Sequence, residues 1–170
     1  MCGIAGIIDL YNNENYSYKI QSLNKIIDHQ HNRGPDSSSI WSSDNEKFFI
    51  GFNWLAIQDV QKNADQPFFS KDKKQALIFN GEIFNFNELK KKYLFSINLK
   101  TNSDTEVLFE LLIIYGESIV KELEGFFSFA FFNFNNNKFF LARDRFGIKP
   151  LYYFIEKKIL YFASTFKILN

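Results

Sequence analysis

Residues 126–132 read Phe-Phe-Ser-Phe-Ala-Phe-Phe, apolar on consecutive rather than alternate positions. A strand points successive side chains to opposite faces, so such a run suits a strand covered on both sides. Residues 3–10, Gly-Ile-Ala-Gly-Ile-Ile-Asp-Leu, have the same character. Further short β-rich runs fall at 38–42, 47–57 and 75–79. A turn at Asn135-Asn136-Asn137 joins 126–134 to 138–142, and a last hairpin pairs 151–155 with 159–163 around Lys157-Lys158. Helical spacing occurs three times. Ile20, Leu23, Ile26 and Ile27 form one apolar face within 17–30; Asn85 with Glu88 predicts a cap for a short helix to Tyr93; Ser103 with Glu106 forms a capping-box pattern ahead of Val107, Leu108, Leu111 and Leu112, with Gly116 as the stop. Strands and helices are grouped, not strictly alternating, which predicts an α+β fold of antiparallel sheets in stacked layers.

A chain of 170 residues predicts one domain, 1–170, large enough to bury a core, and 46% hydrophobic residues exclude a disordered chain. The net charge of +1 gives no pull toward nucleic acid or an anionic membrane. No apolar run spans a bilayer, and the N-terminus lacks the pattern of a signal peptide, so the expected setting is the cytoplasm. A single cysteine excludes an internal disulfide framework and a cysteine zinc site. His29 and His31 read as helix surface, and no metal site is expected.

That one cysteine is residue 2. Once Met1 is removed, Cys2 carries both a thiol and a free α-amine. An α-amine titrates near ~8, far below a lysine, and so accepts the thiol proton at neutral pH, directly or through a water. Gly3 leaves room for a substrate to approach. Position alone, however, favours an ordinary small apolar residue at a strand start.

The motifs that follow decide between these readings. Met-Cys-Gly-Ile-Ala-Gly-Ile opens the chain. Arg33-Gly34-Pro35-Asp36, Asn80-Gly81-Glu82-Ile83-Phe84-Asn85, Ser103-Asp104 before a helix, residues 142–153 (ARDRFGIKPLYY) and Phe162-Ala163-Ser164 come after it in that order. Together they resemble the class II glutamine amidotransferase domain of the asparagine synthetase family, over essentially the whole chain. The resemblance implies an N-terminal-nucleophile hydrolase fold, a four-layer αββα sandwich of two antiparallel sheets. It implies hydrolysis of L-glutamine to glutamate and ammonia with Cys2 as nucleophile. Asn80 and Gly81 are then the oxyanion donors, by side-chain and backbone N–H, although Asn-Gly is equally a strong turn signal. Glu82 and Asp104 are implied to hold the substrate α-ammonium, though an acid at position 104 also suits a helix N-terminus. Trp54, Leu55, Ile57 and Gln58 lie in the matching substrate-binding segment. Arg33 to Asp36 reads as a structural turn, and Arg143, Asp144 and Arg145 as a buried ion-pair network fixing loops.

Two departures qualify the resemblance. The family's Arg-Leu-Ser-Ile-Val segment, whose arginine pairs with the substrate α-carboxylate, is Trp54-Leu55-Ala56-Ile57-Gln58 here. Tryptophan offers one N–H and no charge, which leaves open a catalytically impaired scaffold or an amidohydrolase with another amide substrate. Neither arginine motif is an obvious substitute, and Lys62 is the nearby alternative. Smaller departures are Asn32 for His, Asn102 for Gly and Thr165 for Glu. The second departure is length. Relatives continue into a synthetase domain, where ATP and Mg would bind; no phosphate-cradling glycine loop occurs here, so a synthetase domain or subunit is the expected partner and this domain is expected to need no cofactor.

Overall fold

The computed structural model describes residues 1–55 and 66–166. They divide into two compact units, one drawn from 1–55, 66–67 and 150–166 and the other from 68–149, each built on its own antiparallel sheet.

The sheet of the first unit has the order β2 (Ser37–Ser42), β3 (Phe48–Trp54), β1 (Gly3–Ile8), β9 (Ile159–Ala163), β8 (Tyr152–Glu156). The central strand β1 is buried at all six positions, as its unbroken apolar run predicts. Helix α1 (Tyr16–His29) starts where the Asn15 side chain accepts from the Tyr18 N–H at 2.8 Å. It lays Leu23, Ile26 and Ile27 against Ala5, Ile7, Phe49 and Tyr161; each fully buried side chain of this kind contributes about 1.5–3 kcal/mol. Lys19 on the same helix is also fully buried. Its ammonium lies 3.5 Å from Asp9, donates to the Glu46 carbonyl at 2.7 Å and sits over the Phe49 ring. The β8–β9 hairpin turns at Lys157 and Lys158, both left-handed, as a two-residue loop requires.

The second sheet has the order β4 (Phe68–Phe69), β5 (Gln75–Ile83), β6 (Gly125–Asn133), β7 (Lys138–Arg143). Helices α2 (Phe86–Tyr93) and α3 (Asp104–Tyr115) supply Leu89, Val107, Leu108, Leu111 and Leu112. These pack on Leu77, Phe79, Ile83, Phe127, Phe129 and Phe131, one alternating face of β5 and β6. The opposite face carries Asn80, Glu82, Phe126 and Ser128, which the register places in directly paired positions.

The expected α+β class and antiparallel sheets are present; several details differ. The expected run at 75–79 continues as β5 through Ile83, so Asn80-Gly81 is mid-strand and not a turn. Asn85 does not cap α2 with its side chain. It donates instead to the Glu122 carbonyl and accepts from the Glu124 N–H, tying α2 to the entry of β6. Ser103 caps α3 by accepting from the Glu106 N–H, but Glu106 turns to the N–H groups of Lys100 and Thr101, so the box is half closed. The 3₁₀ segment Gly116–Glu122 and the short β4 carry no clear sequence signal.

Candidate functional site

In the first unit, the Gly3–Asn53 pair ends the β1–β3 ladder, so Cys2 and Trp54 flank that end. A β carbon on Gly3 would sit 2.9 Å from the Gln30 side chain at the end of α1. Alternation therefore turns Cys2 and Trp54 to the other face of the sheet. The Cys2 Sγ lies 4.0 Å from the Leu55 carbonyl oxygen. Arg33 closes the 3₁₀ turn His31–Arg33, and its Nε donates to the Cys2 carbonyl at 3.3 Å. Next to it, a β carbon on Gly34 would stand 2.5 Å from the Asn53 carbonyl, and the Asp36 N–H donates to the Trp54 carbonyl at 3.1 Å. The Arg-Gly-Pro-Asp turn thus clamps the end of β3 and the backbone of Cys2 together. Burial holds the Arg33 guanidinium below its ordinary pKa, against the opposing influence of Cys2 and Tyr152. The contact of Arg33 with Cys2 is the part of this arrangement that sequence reasoning missed. Of the expected binding segment, Trp54 and Leu55 are described; Ile57, Gln58 and Lys62 lie outside the described residues.

The second unit brings together Asn80, Gly81, Glu82 and Asp104. Asn80 is 3% exposed and pairs with Ser128 on β6; its Nδ2 and the Ser128 Oγ are both buried without a hydrogen-bond partner. A buried amide donor left unmatched costs about 1–3 kcal/mol, so the arrangement favours an acceptor arriving there. Ser128 was not foreseen, although a lone hydroxyl within an aromatic strand is a signal that could have found it. A β carbon on Gly81 would collide with the Phe126 carbonyl, so glycine is what lets β6 lie this close. Glu82 is exposed on the same face as Asn80. Asp104, first residue of α3, accepts from the Ile83 N–H at 2.9 Å. Burial raises the Asp104 carboxyl above the usual range; the Ile83 and Thr105 N–H groups pull it down, and the charge of Glu82 pushes it up again. Two neighbouring carboxylates, neither paired with a cation among the described residues, form a place for a cationic group.

The expected ion-pair network at 143–145 does not form among the described residues. Asp144 is buried and accepts from the N–H groups of Phe146, Ile148 and Lys149 at 3.2, 2.9 and 3.0 Å. Burial raises its carboxyl, but these donors outweigh burial and hold it below the usual range. With its oxygens so occupied, Asp144 has no need of a guanidinium. Arg145 instead donates to the Lys121 and Leu123 carbonyls. His29 and His31 are exposed, and no group of three or more His, Cys, Asp or Glu side chains that could hold a metal occurs among the described residues. Among the same residues, no helix is long and apolar enough to cross a membrane.

A family model described as a glutamine amidotransferase domain matches residues 1–170. The chain is 41% identical over 169 residues to a glutamine-hydrolyzing asparagine synthetase, number 2 of Bacillus subtilis, covering 99% of this chain and 22% of the relative. It is 34% identical over 171 residues to the glutamine-hydrolyzing asparagine synthetase B of Escherichia coli, covering 99% and 30%. The chain therefore spans less than a third of the length of these relatives. Among solved structures it is similar to the glutamine phosphoribosylpyrophosphate amidotransferase of B. subtilis. The TM-score is 0.74 at 22% identity, over 99% of this chain and 43% of that one, a likeness of fold.

Proposed function

The chain belongs to the glutamine amidotransferase domain family, and from that premise we propose that it hydrolyses L-glutamine to glutamate and ammonia, with Cys2, exposed as the first residue once Met1 is removed, as the nucleophile. The thiol passes its proton to the Cys2 α-amine, and the sulfur attacks the carboxamide carbon. The carbonyl oxygen becomes an oxyanion and accepts from the Asn80 side chain and the Gly81 N–H. Collapse breaks the C–N bond; the α-ammonium returns its proton to the departing nitrogen, which leaves as ammonia. Water then attacks the γ-glutamyl thioester, giving glutamate and restoring the thiol. Glu82 and Asp104 hold the substrate α-ammonium, and Trp54, Leu55, Ile57 and Gln58 belong to the binding segment. Arg33 keeps the Cys2 backbone in place.

The observation that carries this reading is the buried, partnerless amide donor of Asn80 in the middle of a strand, one residue before a glycine that only close strand packing explains. The ammonia supplies an ATP- and Mg-dependent amidation on a synthetase domain or subunit; the glutamine-hydrolyzing asparagine synthetases that this chain resembles support that assignment. Trp54 beside Cys2 favours one other reading, an amidohydrolase for an amide without a free carboxylate. Replacement of Cys2 by Ala is expected to abolish ammonia release from glutamine. A glutamine-mimicking electrophile such as diazo-oxo-norleucine is expected to add its mass to the first residue of the mature parent chain and not to the Cys2→Ala chain. Undiminished ammonia release in Cys2→Ala would refute the mechanism. Faster turnover of a carboxyl-blocked amide than of glutamine would favour the second reading.

A further inference from the structure

Glutamine carries an ammonium and a carboxylate on one carbon. A site that meets the ammonium with Glu82 and Asp104 still needs a cation for the carboxylate, and the Trp54 indole supplies none. The chain has three arginines; Arg145 is committed through both terminal nitrogens, and Arg33 is half-buried with its Nε bonded and its Nη2 sealed from solvent without a partner. Arg33 donates to the Cys2 carbonyl, and Arg145 donates to the Lys121 and Leu123 carbonyls. Arg143 is exposed, and its side chain makes no hydrogen bond or ion pair to any described residue.

Its place in the sheet is specific. Asn80 pairs with Ser128 on β6, and Ser128 pairs with Arg143 on β7. The three residues form one row across three strands, on the face turned away from α2 and α3. Two strand spacings separate the ends of the row, about 10 Å between Cα atoms. That span is within the combined reach of an arginine side chain and a glutamine held at its amide by Asn80. Glu82 lies two residues along β5 from Asn80, on the same face as the row. The guanidinium is also seated. A β carbon on Gly147 would overlap the Arg143 side chain, so the left-handed Gly147 lets the 144–147 backbone lie flat against it. Asp144, with three backbone donors, fixes that loop. The loop therefore orders the cation without neutralising it.

We propose that Arg143 holds the α-carboxylate of the substrate. The proposal rests on the glutaminase reading above. It is tested with the 170-residue chain by comparing ammonia release from L-glutamine and from L-glutamine α-amide, in which the carboxylate is blocked. Arg143→Gln is expected to raise KM for glutamine about tenfold to a hundredfold, the worth of one charged hydrogen-bonding partner, with a much smaller change in kcat. The preference for glutamine over the α-amide is expected to fall by the same factor. Arg143→Lys, which keeps the charge but loses the planar fork, is expected to fall between parent and Gln variant. An unchanged KM, or an equal loss on both amides, would overturn the assignment while leaving the glutaminase reading intact. A parent chain that releases no ammonia from glutamine and takes no label at Cys2 would overturn the reading itself, and the assignment with it.

Discussion

At the residue scale, the proposed ammonium site rests on two acids, Glu82 and Asp104, that pair with no cation among the described residues. Asp104 is held above the ordinary carboxylate range by burial and by Glu82, even though it accepts from the Ile83 N–H. If the pair holds the substrate ammonium, binding requires Asp104 as an anion. Protonation removes that anion, and because the folded pKa is raised, the loss begins at a higher pH than for an ordinary aspartate. The apparent KM for glutamine is therefore expected to climb as pH falls below 7, on top of the fall in kcat that protonation of the Cys2 α-amine brings. Asp104→Asn keeps the acceptor for Ile83 and removes the charge. It is expected to raise KM at pH 7.5 about tenfold or more and to flatten the acid limb. Steady-state KM across that range, in both chains, decides the matter. A variant that keeps the parent's acid limb would assign the titration to another group.

At the scale of elements, what the sequence made legible follows from how local its causes are. The strand β1, the helix α1 and the Ser103 cap rest on contiguous patterns, and all three appear close to where the spacing predicts them. The length of β5 was hidden because Asn80-Gly81 carries the local signature of a turn, and pairing with β6 over nine residues overrode it. The Asn85 side chain was misassigned for the same reason, since its real partners, Glu122 and Glu124, lie 37 and 39 residues on. Lys19 is the strongest case. Its place in 17–30 reads as one more surface lysine, yet it is fully buried against Asp9, Glu46 and Phe49. It joins α1 to the end of β1 and to the turn before β3. Removing one partner of a buried pair leaves the other charge uncompensated, at about 3–5 kcal/mol. Asp9 keeps the N–H donors of Asn13 and Glu14, which places Lys19→Ala near the lower end of that range. The urea midpoint of the variant measures this. A loss below about 1 kcal/mol would show that the N–H donors alone sustain Asp9.

Over the whole molecule, five buried or half-buried carboxylates divide into two groups that respond to acid in opposite directions. For Asp9, Glu106 and Asp144, burial raises the carboxyl but backbone or side-chain donors outweigh it, and each ends below its ordinary value. For Asp104 and Glu110, burial wins and is reinforced by a neighbouring acid, so each ends above. As pH falls from 7 toward 5, Asp104 and Glu110 take up protons in the folded chain sooner than in the unfolded one, so folding gains stability. Nearer pH ~4 the unfolded chain protonates all five. Asp9, Glu106 and Asp144 still resist in the folded state, so their contribution, complete above the unfolded value, is lost as pH drops toward their depressed folded values. Urea midpoints are therefore expected to hold or rise slightly between pH 7 and 5 and then to decline below about 4. Asp104→Asn is expected to remove part of the mild-acid gain and to leave the decline in place. A midpoint that falls steadily from pH 7 would mean that Asp104 and Glu110 do not take up protons sooner in the folded chain than in the unfolded one.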